Sequence, residues 1–91
     1  MVIKDFSERQ KERKNEQMLE SAKKHEKRRD YLRAAECYRK LGLDDKEKGM
    51  YAAAGKEFEE RGRYGSALAC YEKACDKESA VQLRKRLTDG Q

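Results

Sequence analysis

Apolar side chains recur along this chain at the spacing of amphipathic helices. Residues 7–17 contain none, but between residues 18 and 87 apolar side chains repeatedly fill positions i, i+3, i+4 and i+7. The clearest segments are 31–41 and 64–74. No segment alternates polar and apolar residues as a half-buried strand would. The pattern therefore predicts an all-α protein of about five helices.

Turn signals separate these helices. Gly42 follows the second apolar segment and Gly62 the third, and glycine readily adopts the left-handed backbone that ends many helices. Asp44, with Glu47 three residues later, has the spacing of a capping box. We therefore expect the third helix at about residues 45–61, a fourth helix after Gly62 and a last helix at 78–88.

The second half of the chain repeats the first at a shift of 33 residues. The shift superimposes residues of the same type: Tyr31 on Tyr64, Ala34 on Ala67, Cys37 on Cys70 and Tyr38 on Tyr71. The preceding helices also register, since Met18 falls on Tyr51 and His25 on Phe58. Self-similarity at this period is typical of proteins built from repeated helical hairpins.

Residues 48–81 carry a fuller signature. It consists of a bulky residue, a small pair, an aromatic residue, the pattern Gly-x-Tyr-x-x-Ala, and a distal aromatic and alanine: Tyr51, Ala54, Gly55, Phe58, Gly62, Tyr64, Ala67, Tyr71 and Ala74. In this the chain resembles the tetratricopeptide repeat family, whose unit is a 34-residue helix-turn-helix, and more loosely the helical hairpins of soluble-NSF-attachment-protein-like solenoids. Arg29 stands where the family has its turn glycine.

The resemblance implies antiparallel helical hairpins stacked as a short, right-handed, TPR-like solenoid. It divides the chain into a polar N-terminal extension of the first helix, 1–14, and a single domain, 15–91. Within the domain we expect one repeat at 15–47, a second at 48–77 and a capping helix at 78–88. Two repeats and a cap are few for a fold in which each repeat is stabilised by its neighbours. We therefore expect either that the chain is a segment excised from a larger protein or that it self-associates.

Small residues are predicted to oppose aromatic ones in the second repeat. Gly55, Ala67 and Ala74 remove side-chain bulk where two helices approach closely. The aromatic residues expected to fill the space between the helices are Tyr51, Phe58, Tyr64 and Tyr71.

Composition narrows the class of protein. Charged residues make up 45% of the 91 and the net charge is +5. The first 33 residues hold eleven basic and seven acidic side chains, against twelve and eleven in the remainder.

The longest apolar stretch, 50–54, is too short to cross a bilayer. Three cysteines without a signal peptide favour reduced thiols, so we expect a cytoplasmic protein with no membrane insertion.

The sequence contains no recognisable catalytic motif. His25 is the single histidine, and there is no Gly-rich phosphate loop or nucleophile elbow. Cys37, Cys70 and Cys75 suggest a three-thiolate zinc site, but they lack the C-x2-C spacing of zinc ligands and are better explained as small buried residues. We expect a non-enzymatic protein without metal or cofactor, with His25 partly buried at an aromatic position.

The resemblance also suggests where a partner binds. In the family, a peptide lies along the concave surface formed by the first helix of each repeat. The corresponding positions in this chain are Leu19, Lys23, Lys27, Ala52, Lys56 and Glu59. The leading hypothesis is a scaffold or protein–protein interaction segment that binds another protein or peptide, or neighbouring helical repeats, on this face.

A basic run offers an alternative function. It comprises Lys23, Lys24, Lys27, Arg28, Arg29 and Arg33. With Tyr31 nearby, this run has the mixture of positive charge and aromatic character found in single-stranded nucleic-acid sites. Glu20, Glu26 and Asp30 are interspersed, however, which is typical of a solvated helix face with i, i+4 pairs.

Overall fold

Five α-helices make up the described part of the chain, residues 6–89, in a computed structural model; side chains are described from residue 13. They are α1 (Phe6–Lys27), α2 (Tyr31–Lys40), α3 (Asp44–Glu60), α4 (Tyr64–Lys73) and α5 (Lys77–Asp89). No strand occurs within residues 6–89. The predicted class and helix number are confirmed, and α5 is one residue longer at each end than expected. The predicted extension, 1–14, is helical from Phe6, and its first five residues lie outside the described range.

All four connections are three-residue turns of one type. In the first, the N–H of Asp30 donates to the carbonyl of His25 at 2.8 Å and that of Arg29 to Glu26 at 3.0 Å. This bond pair is a Schellman motif, which needs a left-handed residue, and it recurs in the other three turns. The left-handed residues are Arg29, Gly42, Gly62 and Cys75, with φ of 62°, 74°, 77° and 57°. The 33-residue repeat is therefore present in the backbone of the turns.

The N-cap of α3 differs from the prediction. Leu43 occupies the N-cap position, Asp44 is already helical, and no side chain caps the helix, so the predicted capping box is wrong. Asp44 and Glu47 instead place negative charge in the first turn, where it complements the helix dipole. A side-chain cap is found at α5, where Asp76 Oδ1 accepts from the N–H of Ser79 at 3.2 Å.

The core consists of two hydrophobic clusters. The first joins α1, α2 and α3 and contains Ala22, Ala34, Ala35, Tyr38 and Met50. The second joins α4 and α5 through Ala67, Tyr71, Ala80 and Leu83, with Phe58 of α3 packed against it. Helices consecutive in the chain make the main contacts, and the backbone is elongated, with extents of 68 × 23 × 13 Å.

The predicted opposition of small and aromatic residues holds for most positions. Gly55 is buried against the ring of Tyr71, and Ala67 and Ala74 are buried as well. Tyr51 and Phe58 are half-buried. Tyr64 is the exception: it is 36% exposed and is the first residue of α4, so the prediction that it fills the space between helices is wrong.

Candidate binding clefts

The predicted concave-face residues have different surroundings. Lys23, Lys27 and Lys56 are exposed, and Ala52 and Glu59 are half-buried. Leu19 packs against the first core cluster. Its side chain therefore contributes to the core, and the accessible part of the predicted face consists mainly of polar side chains.

Lys56 and Glu59 line a cleft between α3 and α5, called the α3–α5 cleft below. Its volume is about 300 Å³, and its lining is Lys56, Glu59, Glu60, Tyr71, Ser79, Gln82 and Arg86. Arg86 Nη1 lies 3.6 Å from Glu59 Oε2 and bridges the two walls. Burial raises the pKa of Tyr71, and the nearby Glu59 carboxylate raises it further. The cleft thus offers donors and acceptors of both charges.

The predicted basic patch is divided in the structure. Lys23, Lys24 and Lys27 are exposed along α1. Arg33 Nε lies 3.4 Å from Asp30 Oδ2 and is partly neutralised. Arg28 and Arg29, in contrast, border a second cleft.

This second cleft, called the junction cleft below, lies between the α1–α2 turn and α3. It has a volume of about 520 Å³ and is lined by Arg28, Arg29, Asp30, Tyr31, Leu32, Ala54, Glu57, Phe58 and Arg61. Arg61 donates to Glu57 Oε1 at 2.9 Å. Sequence reasoning missed Arg61, although it is the equivalent of Arg28 at the 33-residue shift. Three guanidinium groups and two carboxylates therefore meet here.

The two clefts lie on opposite sides of α3. Lys56 lines the α3–α5 cleft and Phe58 the junction cleft. Two residues of helix correspond to a rotation of about 200° at 3.6 residues per turn. A molecule in one cleft therefore leaves the other accessible.

His25 and the cysteines form no chemical site within the described residues. His25 is half-buried, with Nδ1 3.8 Å from Asp30 Oδ2. Cys70 is buried, Cys37 half-buried and Cys75 exposed, and burial raises the pKa of the Cys70 thiol, which lowers its reactivity. Residues 13–89, whose side chains the structure describes, contain no group of three or more His, Cys, Asp or Glu side chains placed to hold a metal ion.

Across the described residues, no helix combines the length and apolar character needed to cross a membrane. The chain matches no known protein family, no curated protein and no solved structure. Inference about function therefore rests on the two clefts and on the residues that line them.

Proposed function

We propose that this chain is a non-catalytic polypeptide-binding module whose hairpins stack as a short TPR-like solenoid. The supporting observation is the α3–α5 cleft, an open groove between two helices. These helices occupy equivalent positions at the 33-residue shift. A bound segment would lie between Lys56 and Glu60 on one wall and Gln82 on the other.

The lining of this cleft suits a polypeptide. Lys56 and Arg86 supply donors, Glu59 and Glu60 supply acceptors, and Gln82 supplies both. A peptide backbone also presents donors and acceptors in alternation. In addition, an elongated backbone, with extents of 68 × 23 × 13 Å, exposes much surface for its volume.

The test is selection of peptides from a random displayed library against the full chain, followed by affinity measurement on a charge-reversal variant. Lys56→Glu should weaken the selected peptides about tenfold, because it places a third carboxylate beside Glu59 and Glu60. Lys46→Glu is the matched control, since Lys46 is exposed near the start of α3 and outside the cleft. If no peptide is enriched, or both variants bind equally well, the proposal fails.

Nucleic-acid binding is the second candidate, and one observation favours it: Arg28, Arg29 and Arg61 converge at the junction cleft. Fluorescence anisotropy with labelled single-stranded RNA and DNA over a salt series tests this candidate. Phosphate contacts would make the affinity fall steeply as salt rises. No binding at low salt would exclude it.

A further inference from the structure

Arg29 adopts a backbone conformation that favours glycine. Its φ is 62°, and its equivalent at the 33-residue shift is Gly62, with φ of 77°. A residue with a Cβ is strained in the left-handed region, whereas glycine is not. A glycine at position 29 would therefore suit the turn better.

The backbone hydrogen bonds of the turn hold Arg29 in this conformation, as they hold its equivalent Gly62. Arg29 is exposed. Within residues 13–89, the side chain of Arg29 forms neither an ion pair nor a hydrogen bond. Non-glycine residues in the left-handed region are often found at functional sites, and the Arg29 side chain borders the junction cleft.

We propose that the junction cleft binds an acidic peptide segment of another polypeptide. Arg28 and Arg29 would take Asp or Glu carboxylates of the partner, with Arg61 at the far wall. Guanidinium groups pair with carboxylates through two parallel hydrogen bonds, which gives both affinity and orientation. The site lies on the opposite side of α3 from the α3–α5 cleft, and the proposal does not depend on that cleft.

An apolar side chain of the same segment would lie against Leu32. Leu32 is 45% exposed, and it borders the cleft together with Phe58. Burying this exposed apolar surface would add a hydrophobic contribution to the charge pairing. The expected ligand is therefore a segment that mixes Asp or Glu with Leu-type residues.

The cleft suits such a peptide better than a nucleic acid. Tyr31 packs against the first core cluster and Phe58 against the second, so their rings are not open platforms for base stacking. Asp30 and Glu57 line the same cleft and would repel successive phosphates. A peptide with a few carboxylates can pair with the arginines and avoid both acidic groups.

The experiment combines thermal unfolding with peptide binding on the full chain at physiological salt. The probe is a short fluorescein-labelled peptide of repeated Glu-Glu-Leu units, with a Gln-Gln-Leu peptide as the neutral control and oligothymidylate as the nucleic-acid control. Arg29→Gly should raise the melting temperature by about 2–6 °C, because it relieves the left-handed strain. It should also weaken the acidic peptide about five- to tenfold.

Cys75→Gly is the matched control, because Cys75 is also a non-glycine residue at a left-handed turn position. It should raise the melting temperature similarly and leave peptide affinity unchanged. Arg29→Lys should retain part of the affinity, since it keeps the charge without the paired hydrogen bonds. Lys56→Glu should leave the affinity within about twofold, because Lys56 lines the other cleft, on the opposite side of α3, and salt screens an exposed charge.

Three outcomes would overturn the proposal. The first is an acidic peptide that binds no better than its Gln counterpart, and the second is an Arg29→Gly variant that is stabilised without loss of binding. Tighter binding of oligothymidylate with a steep salt dependence would assign the cleft to nucleic acid. Equal binding of library peptides to Lys56→Glu and Lys46→Glu would reject the α3–α5 cleft alone, because the junction cleft is tested by the Arg29 variants.

Discussion

Gly55 packs so closely on Tyr71 that a Cβ added to the glycine would lie 2.7 Å from Cε1 of the ring. The ring cannot easily withdraw, because Tyr71 is 2% exposed. At the 33-residue shift the equivalent pair is Ala22 and Tyr38, both buried in the first cluster. The first hairpin thus has a methyl group at the position where the second has none.

We expect Gly55→Ala to destabilise the protein by about 1–3 kcal/mol, because the added methyl overpacks the contact with Tyr71. Gly49→Ala in the same helix is the control: nothing lies within 4 Å of its added Cβ, and replacing a helix-interior glycine stabilises by about 0.5–1 kcal/mol. Thermal unfolding followed by circular dichroism distinguishes the two. Equal effects of the same sign would contradict the close contact.

Tyr71→Ala should cost about 3–5 kcal/mol through loss of a buried aromatic side chain. In a domain this small, that loss should remove most of the helical circular dichroism signal at 37 °C. Tyr64→Ala is the comparison, since Tyr64 also belongs to α4 but is partly exposed, and it should change stability by about 1 kcal/mol or less. Retention of the wild-type melting temperature in Tyr71→Ala would refute the described core.

The N-cap of α5 gives a third prediction. Asp76→Ala should destabilise by about 0.5–2 kcal/mol, because the N–H of Ser79 loses its acceptor. Leu43 is the equivalent N-cap of α3 and has no capping side chain. Leu43→Asp should therefore stabilise by about 1 kcal/mol. Urea unfolding of both variants tests the pair, and the structure is contradicted if the two changes have the same sign.

Stability should fall at alkaline pH. Burial raises the pKa of Tyr38 and of Tyr71 above the ordinary value of 10.0, and burial also raises the pKa of Cys70 above 9.0. As pH rises past these ordinary values, the unfolded chain loses protons that the folded chain keeps. Unfolding is then favoured. The full contribution is present below about pH 8, where all three groups are protonated in both states.

Urea unfolding between pH 8 and 10.5 measures this decline. Tyr38→Phe should reduce the slope of unfolding free energy against pH, and adding Tyr71→Phe should reduce it further, because each change removes one titrating group. Each proton corresponds to about 1.4 kcal/mol per pH unit at most. An unchanged slope in the double variant would show that neither hydroxyl titrates differently on folding.

The spacing of apolar residues predicted the number of helices and most of the inward-facing residues, because this spacing shows which side chains share a helix face. It does not report how much of a neighbouring helix lies opposite each position. Tyr64 therefore matched the pattern but lies partly exposed at the start of α4. Glycines marked two of the four turns. At Arg29 and Cys75 the backbone adopts the left-handed form without glycine, so the residue type at these positions marked neither turn.

The junction cleft was predicted only in part. Arg28 and Arg29 belonged to the predicted basic run, whereas Arg61 lies about thirty positions further along the chain. Its approach depends on how α3 packs against the first hairpin, which the sequence pattern does not specify. The 33-residue shift from Arg28 was the one signal that pointed to Arg61.

The contacts between helices that are consecutive in the chain have a consequence for the speed of folding. Because each helix contacts mainly its neighbours in the chain, the largest loop that must close is about the length of one hairpin. Loop closure over such distances costs little entropy, and proteins dominated by local contacts fold in microseconds to milliseconds. The chain should therefore reach its native state rapidly, with little time for unfolded molecules to associate.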